Sequence, residues 1–303
     1  MTGFKSIVFY CAAQISLLFF SANSSAQDLK QLLAPSASVT CVSAQFAFTE
    51  GPAVNKKGDI FFTDQPNNRI WKYSTDGKLT VFLENAGRSN GMYFDPKGNL
   101  IACADENNQL WSINPEGKVT VLLENFQGHR FNGPNDVWID KRGGLYFTDP
   151  FYQRKYNSRT KAEERGENVY YLPKGAKDAI LVDSNLIRPN GIVGSSRKKN
   201  LYVSDIEERK IYKYRINKDG TLSDRQLFAT HQSDGMTLDN KGNLYATGKD
   251  LAVFNKSGKL RGTIPVSSSW TANVSFAGKK RNVLFITASK AIYTLKMRVK
   301  GVK

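Results

Sequence analysis

Histidine and cysteine are scarce in this chain. It has two histidines, His129 and His231, and three cysteines in 303 residues. A zinc site built from His and Cys ligands is therefore disfavoured. Cys11 falls in an amino-terminal apolar run, which leaves Cys41 and Cys103. Nothing in their spacing demands a bridge, and two buried thiols is the plainer reading. No stretch shows helical periodicity, and no linker interrupts the chain. Acidic residues are outnumbered: 43 Lys and Arg face 27 Asp and Glu, for a net charge of +16. A surplus of that sign can serve nucleic acid or an anionic surface. Here the cations are spread through turns, as in Lys56-Lys57, Lys141-Arg142, Arg197-Lys198-Lys199 and Lys279-Lys280-Arg281. There is no basic helix and no aromatic-interleaved platform for a single strand. The reading is a solvated basic surface that draws in anionic substrates, with no nucleic-acid partner.

The longest apolar run, Ile7 to Phe20, follows Lys5 and precedes Ser24-Ser25-Ala26. That order reads as a signal peptide over residues 1–26, cut before Gln27. The run is short and broken by Gln14 and Ser16, which argues against a retained span. Cys11 lacks the preceding small residues of a lipidation signal. The expectation is an exported protein, periplasmic or secreted, monomeric and not held at a membrane after cleavage. Residues 27–303 then form one domain, with a net charge of about +15.

What the chain does have is a repeat. The turn residues Gly58, Gly98, Gly143, Lys199, Gly242 and Arg281 are spaced by 40, 45, 56, 43 and 39 residues. After each turn comes a β-rich run such as Asp59-Ile-Phe-Phe-Thr-Asp64 or Asn200-Leu-Tyr-Val-Ser-Asp205. A further strand follows, such as Arg69-Ile-Trp-Lys-Tyr73, and then a turn such as Asp76-Gly77 leads to a fourth. Four strands per repeat at this period predict an all-β, six-bladed propeller. The sixth repeat stops soon after its third strand. The strand-like segment Ser38 to Phe48 can supply the missing outer strand and close the ring.

Each repeat opens with an acid or amide at the mouth of its innermost strand: Glu50, Asn90, Asn135, Asn190, Asp234 and Asn273. In an up-and-down blade these positions converge on one face, around the axis. The long segment Phe151 to Glu167 joins second to third strand in the third repeat and lies over that same face. It is either a charged surface loop or a specificity lid. Singly, an Asn-Gly or Asp-Gly is read as a turn. Six at one point of six repeats suggest a shared site. Glu50, Asn135, Asn190 and Asp234 make a hard, oxygen-only set suited to Ca²⁺, Mg²⁺ or Mn²⁺, or to Zn²⁺ through its carboxylates. Two acids on the axis would repel unless a cation lay between them. Asn132 and Asp136 flank a proposed ligand and are either supports for it or substrate contacts. Asp64, Asp105, Asp149 and Asp205, which end second strands, read as loop-fixing acceptors for backbone N–H groups. His129 and His231 read as loop histidines, with a proton relay by His231 as the alternative.

Thr49-Glu50-Gly51-Pro52, Asn135-Asp136-Val137, Phe147-Thr148-Asp149-Pro150, Pro189-Asn190-Gly191, Leu201-Tyr-Val-Ser-Asp205 and Asp234-Gly235 resemble the senescence-marker-protein/gluconolactonase family. The resemblance spans the mature chain in order. Phe131-Asn132-Gly133-Pro134-Asn135-Asp136 and Phe285-Ile-Thr-Ala-Ser289 are most similar to the bacterial gluconolactonase branch. It implies a propeller with one divalent metal in its channel, Ca²⁺ first, that hydrolyses sugar lactones. The family's metal ligands match Glu50, Asn190 and Asp234; its channel asparagine, a ligand or substrate contact, matches Asn135. Asp234 is the expected general base, with Asn90, Asn132 and Asn135 on the sugar hydroxyls. One departure stands out. Animal relatives carry a substrate-contacting arginine two residues before the channel asparagine, where this chain has Gly133, with Arg130 nearby. Hydrolysis of another ester or a phosphotriester, and non-catalytic sugar binding, are the alternatives.

Overall fold

The computed structural model describes residues 29–156, 159–163 and 166–302. The proposed leader, residues 1–26, lies outside the described residues. The chain builds six antiparallel four-stranded sheets, as the repeat predicts. Blade one is Thr49–Val54, Ile60–Asp64, Arg69–Tyr73 and Leu79–Glu84; blade four is Pro189–Ser195, Asn200–Asp205, Lys210–Ile216 and Leu222–Thr230. Innermost strands touch their neighbours all round the ring, the first against the sixth. Almost no helix is present among the described residues.

Blade six closes the circle. Its strands Asn273–Ala277, Val283–Ala288 and Ala291–Lys296 accept Thr40–Ser43 as the outer strand, with Thr40 opposite Thr294 and Cys41 opposite Tyr293. Phe46 follows that strand and anchors it, meeting Phe62 at 5.2 Å and Trp71 at 5.5 Å edge to face. The ring is thus latched by strand pairing and by aromatic burial, each such ring contributing roughly 1.5–3 kcal/mol when fully buried. Only one of the two expected buried thiols is buried. Cys103 is in the core, but Cys41 is exposed on the outer strand, and both are free.

The second strands are buried at every position in blades one, two, three and five because they lie between neighbouring sheets. Their Thr or Ser hydroxyls stitch one blade to the next. Thr148 Oγ1 donates to Asn190 O at 2.7 Å, and Thr247 Oγ1 to Ala272 O at 2.8 Å. The terminal aspartates hold loops as expected in three blades. Asp149 accepts the N–H groups of Asn132 and Gly133 at 2.9 and 2.8 Å. Asp64 accepts those of Ala47 and Phe48, and Asp205 those of Ile187 and Arg188. Asp105 departs from this pattern and serves the site instead.

The ring also explains the glycines. Gly191 approaches the next inner strand so closely that a Cβ there would lie 2.3 Å from Asp234 O. A Cβ on Gly235 would lie 2.1 Å from Asn273 Cγ. The Asn-Gly and Asp-Gly pairs are therefore not turns. They are points of contact between innermost strands, where any side chain would push the ring apart.

Candidate active site

The inner strands bring Glu50, Asn90, Asn135, Asn190 and Asp234 to one mouth of the channel. All but Asp234 are buried, and Asp234 is half-buried. Asn273 does not occupy the equivalent place in blade six. The Thr287 hydroxyl accepts its N–H, as Thr148 accepts that of Asp136 and Thr247 that of Gly235. Asn273 and Asp136 therefore stand where other blades have glycine, one step deeper, and Ala272 holds the sixth mouth position. Asp136 is thereby a third carboxylate of the channel. Its Oδ1 accepts Val137 N–H at 2.9 Å and its Oδ2 accepts Ile192 N–H at 3.2 Å.

Three carboxyls share this space, and their acidity records it. Burial pushes Glu50 well above the usual carboxylate range, and repulsion from Asp234 and Asp136 adds to that; the Gly51 N–H and Asn273 amide oppose it. Burial lifts Asp136 to about 7, against the N–H groups of Ile192 and Val137. Burial lifts Asp234 to about 6, opposed by the Trp270 indole, the Arg154 guanidinium and the Asn190 amide. Trp270 Nε1 donates to Asp234 Oδ2 at 2.7 Å. The acids are short of positive charge, and either protons or a cation must supply it.

The donor chemistry fits a hard divalent cation. Glu50 and Asp234 are close enough for the charge of one to raise the pKa of the other. The side-chain amides of Asn90 and Asn135 make no protein hydrogen bond among the described residues, and Asn190 Nδ2 donates to Tyr152 Oη at 2.9 Å. No group of three or more His, Cys, Asp or Glu at metal-ligating separation occurs among the described residues. A coordination shell here needs the amide oxygens of Asn135 and Asn190 beside the two acids.

The long loop lies over this mouth. Tyr152 reaches Asn190, and Tyr156 Oη donates to Asp105 Oδ2 at 2.5 Å. Arg154 Nε donates to the same oxygen at 3.3 Å, with its guanidinium over the Tyr152 ring at 4.8 Å. Asp105 was expected to fix backbone; it instead anchors loop side chains, and burial raises its pKa against the pull of Arg154 and Tyr156. Arg154 is the cation that acts on Asp234. Gly133 lies so close to Asp105 that a Cβ there would sit 2.6 Å from Oδ1. The sequence marked the loop but not this residue, because no repeat position carries it. Arg130 faces outward to Glu163.

Asn132 is less free than a substrate contact would be. Its Nδ2 donates to Asp149 O and Gly166 O at 3.1 and 3.0 Å, which leaves Oδ1, buried and without a hydrogen-bond partner. His129 is exposed on a two-stranded hairpin, Asn125–Phe126 with His129–Arg130. His231 Nε2 lies 3.2 Å from Thr247 O, and burial lowers its pKa. No helix among the described residues is long and apolar enough to cross a membrane.

Residues 48–290 match the SMP-30/Gluconolactonase/LRE-like region. The gluconolactonase of Zymomonas mobilis is 28% identical over 304 residues, covering 90% of this chain and 85% of that one. A solved gluconolactonase of Xanthomonas campestris superposes with a TM-score of 0.83 at 26% identity, over 89% of this chain and 92% of its own. A calcium-binding regucalcin of Agrobacterium tumefaciens shares the fold, with a TM-score of 0.73 at 16% identity over 88% and 95%. With the propeller, the axial acids and a match over most of its length, this chain belongs to the SMP-30/gluconolactonase/LRE-like family.

Proposed function

We propose that this protein is an exported, metal-dependent lactonase that opens an aldonolactone such as glucono-1,5-lactone to its hydroxy acid. The relatives' activities support lactone hydrolysis. The observation that carries the metal dependence is the electrostatic crowding of Glu50, Asp136 and Asp234 at one mouth, with the Arg154 guanidinium as the cation acting on Asp234. Glu50, Asn190, Asp234 and Asn135 would hold the cation, Ca²⁺ first. When bound, it would polarise an ester carbonyl and acidify water.

The chain's own residues do the rest. Asp234 takes the proton of the attacking water. Trp270 fixes its other oxygen. Water oxygen bonds to the carbonyl carbon, the ring C–O bond breaks, and the departing alkoxide regains the proton. Asn90 and Asn135 offer free amides to the sugar hydroxyls, while Asn132, buried and bonded to Asp149 O and Gly166 O, supports the loop beside them. Arg154 and Tyr152 close the mouth over the carbonyl side, excluding water and meeting developing negative charge.

The test is acid release from glucono-1,5-lactone, and from an organophosphate triester, after chelation and add-back of Ca²⁺, Mg²⁺, Mn²⁺ or Zn²⁺. Metal-restored lactone turnover, abolished in a folded Asp234→Ala variant, supports the proposal. Turnover of the triester alone, or chelator-resistant turnover, refutes it. Export predicts a mature chain beginning at Gln27, which intact mass on secreted material checks.

A further inference from the structure

The geometry that gathers the acids at one mouth gathers cations at the other. Every turn from first to second strand lies on that opposite face, and each carries Lys or Arg: Lys56, Lys97, Lys141, Lys198, Lys241 and Lys279. The turns from third to fourth strand add Lys78, Lys118, Lys174, Lys218 and Lys256. Eleven lysines that look scattered in sequence thus share one side of the ring.

At the centre of that face is a cavity of about 510 Å³, the size of a small-ligand site. Lys56, Lys141, Lys279 and Arg281 line it, with Tyr93 and Trp138 as aromatic wall. Its two carboxylates are already used. Asp95 accepts the backbone and side-chain N–H of Asn99 at 2.8 and 2.9 Å. Asp140 accepts the N–H groups of Arg142 and Gly144 and pairs with the Arg142 guanidinium at 3.1 Å. None of the four lining cations makes an ion pair among the described residues. Lys56 Nζ donates to Pro96 O at 2.7 Å.

Arg281 is the most telling of these. One terminal nitrogen donates to Val302 O at 3.2 Å, while its Nε is buried with no hydrogen-bond partner. Burial lowers its pKa, and only Tyr93 opposes that. A guanidinium set into a wall without a counter-charge carries an uncompensated desolvation cost that a bound anion would offset. Its planar donors suit a carboxylate or phosphate, and the aromatic wall suits an organic body. A narrower space of about 50 Å³, lined by Met92, Val137, Ile192 and Met236, runs on from this cavity and reaches Asp136.

We propose that the cavity at the basic mouth is a second binding site, for a small organic anion bearing carboxylate or phosphate groups, held by Arg281 with Lys141 and Lys279. The inference is independent of the lactonase reading, because binding is measured without turnover. Calorimetric titration of the full chain with citrate and with inorganic phosphate, at constant ionic strength, is the experiment. Saturable one-site binding of either is expected, the stronger ligand telling carboxylate from phosphate. Arg281→Gln should weaken it by about tenfold or more. Lys57→Gln, an exposed lysine outside the cavity, should leave it unchanged. If Arg281→Gln does not fold, the double variant Lys141→Gln/Lys279→Gln, both on exposed side chains, carries the same expectation. Absence of saturable binding overturns the proposal. So does equal loss in Lys57→Gln, which assigns the attraction to the general field of the face, and so does binding to anionic lipid vesicles without binding to either small anion.

Discussion

Replacing Gly235 with alanine should disturb the ring just before the inner strand Met236–Leu238 and couple that disturbance to Asn273. The added Cβ would lie 2.1, 2.2 and 2.6 Å from Cγ, Oδ1 and Nδ2 of Asn273. All are well inside contact distance, so the Asn273 side chain must leave. Gly235 does not have a left-handed φ, so alanine brings no backbone penalty and the effect is steric. Asn273 cannot leave freely. Its Oδ1 accepts Val274 N–H at 2.8 Å, and its amide contacts Glu50 and Asp136. Overpacking of this kind costs about 1–3 kcal/mol, a fall in Tm of roughly 2–10 °C for a chain of this size. Asn273→Ala makes room for the new methyl, so the two changes should be non-additive by about 1–2 kcal/mol. Thermal melts of the two single variants and the double variant give the coupling. A Gly235→Ala protein as stable as the parent, or strictly additive losses, would refute the claim that these glycines exist for strand-to-strand approach.

Arg154→Met should lower kcat/KM for the lactone by about 10–100-fold, the worth of a charged hydrogen bond, with a further loss in the melt from the unpaired Asp105 that Asp105→Asn should relieve without restoring the rate. Steady-state kinetics with a parallel melt separates this from a structural role. Asp149→Asn should cost roughly 1–3 kcal/mol, since one of two acceptors for the Asn132 and Gly133 N–H groups becomes a donor, and chemical denaturation reads it. The chelated protein should lose stability as pH rises from 5 toward about 7, because Glu50, Asp136 and Asp234 are raised and the folded state binds more protons than the unfolded one across that window. Saturating Ca²⁺ should remove or invert that slope; an identical slope with and without Ca²⁺ would count against a shared site.

The fold was legible because its signals repeat. The spacing of the turns, the Thr-Asp or Ser-Asp ends of second strands and the spare strand before Thr49 all point to one ring, and each appears where expected. Asp64, Asp149 and Asp205 hold backbone as their recurrence suggests. What repetition could not show is contact between repeats. Gly191 after Asn190 reads as a turn until the neighbouring strand is seen 2.3 Å from its missing Cβ. Asn273 reads as the sixth mouth residue until the Thr287 hydroxyl sets its register one step deeper. Asp105 shares its sequence setting with three loop-fixing aspartates, yet the insertion at 151–167 recruits it to Arg154 and Tyr156. Those two residues belong to the one segment with no counterpart in other blades, so no periodic comparison could weigh them.

Crystallography in saturating Ca²⁺, paired with a Glu50→Gln/Asp234→Asn variant, tests the central claim most directly. One ion should lie against Glu50 and Asp234 at about 2.3–2.6 Å, with amide oxygens of Asn135 and Asn190 completing its shell, and it should vanish in the variant. An ion bound elsewhere, or none beside those carboxylates while lactone turnover persists after chelation, would contradict it.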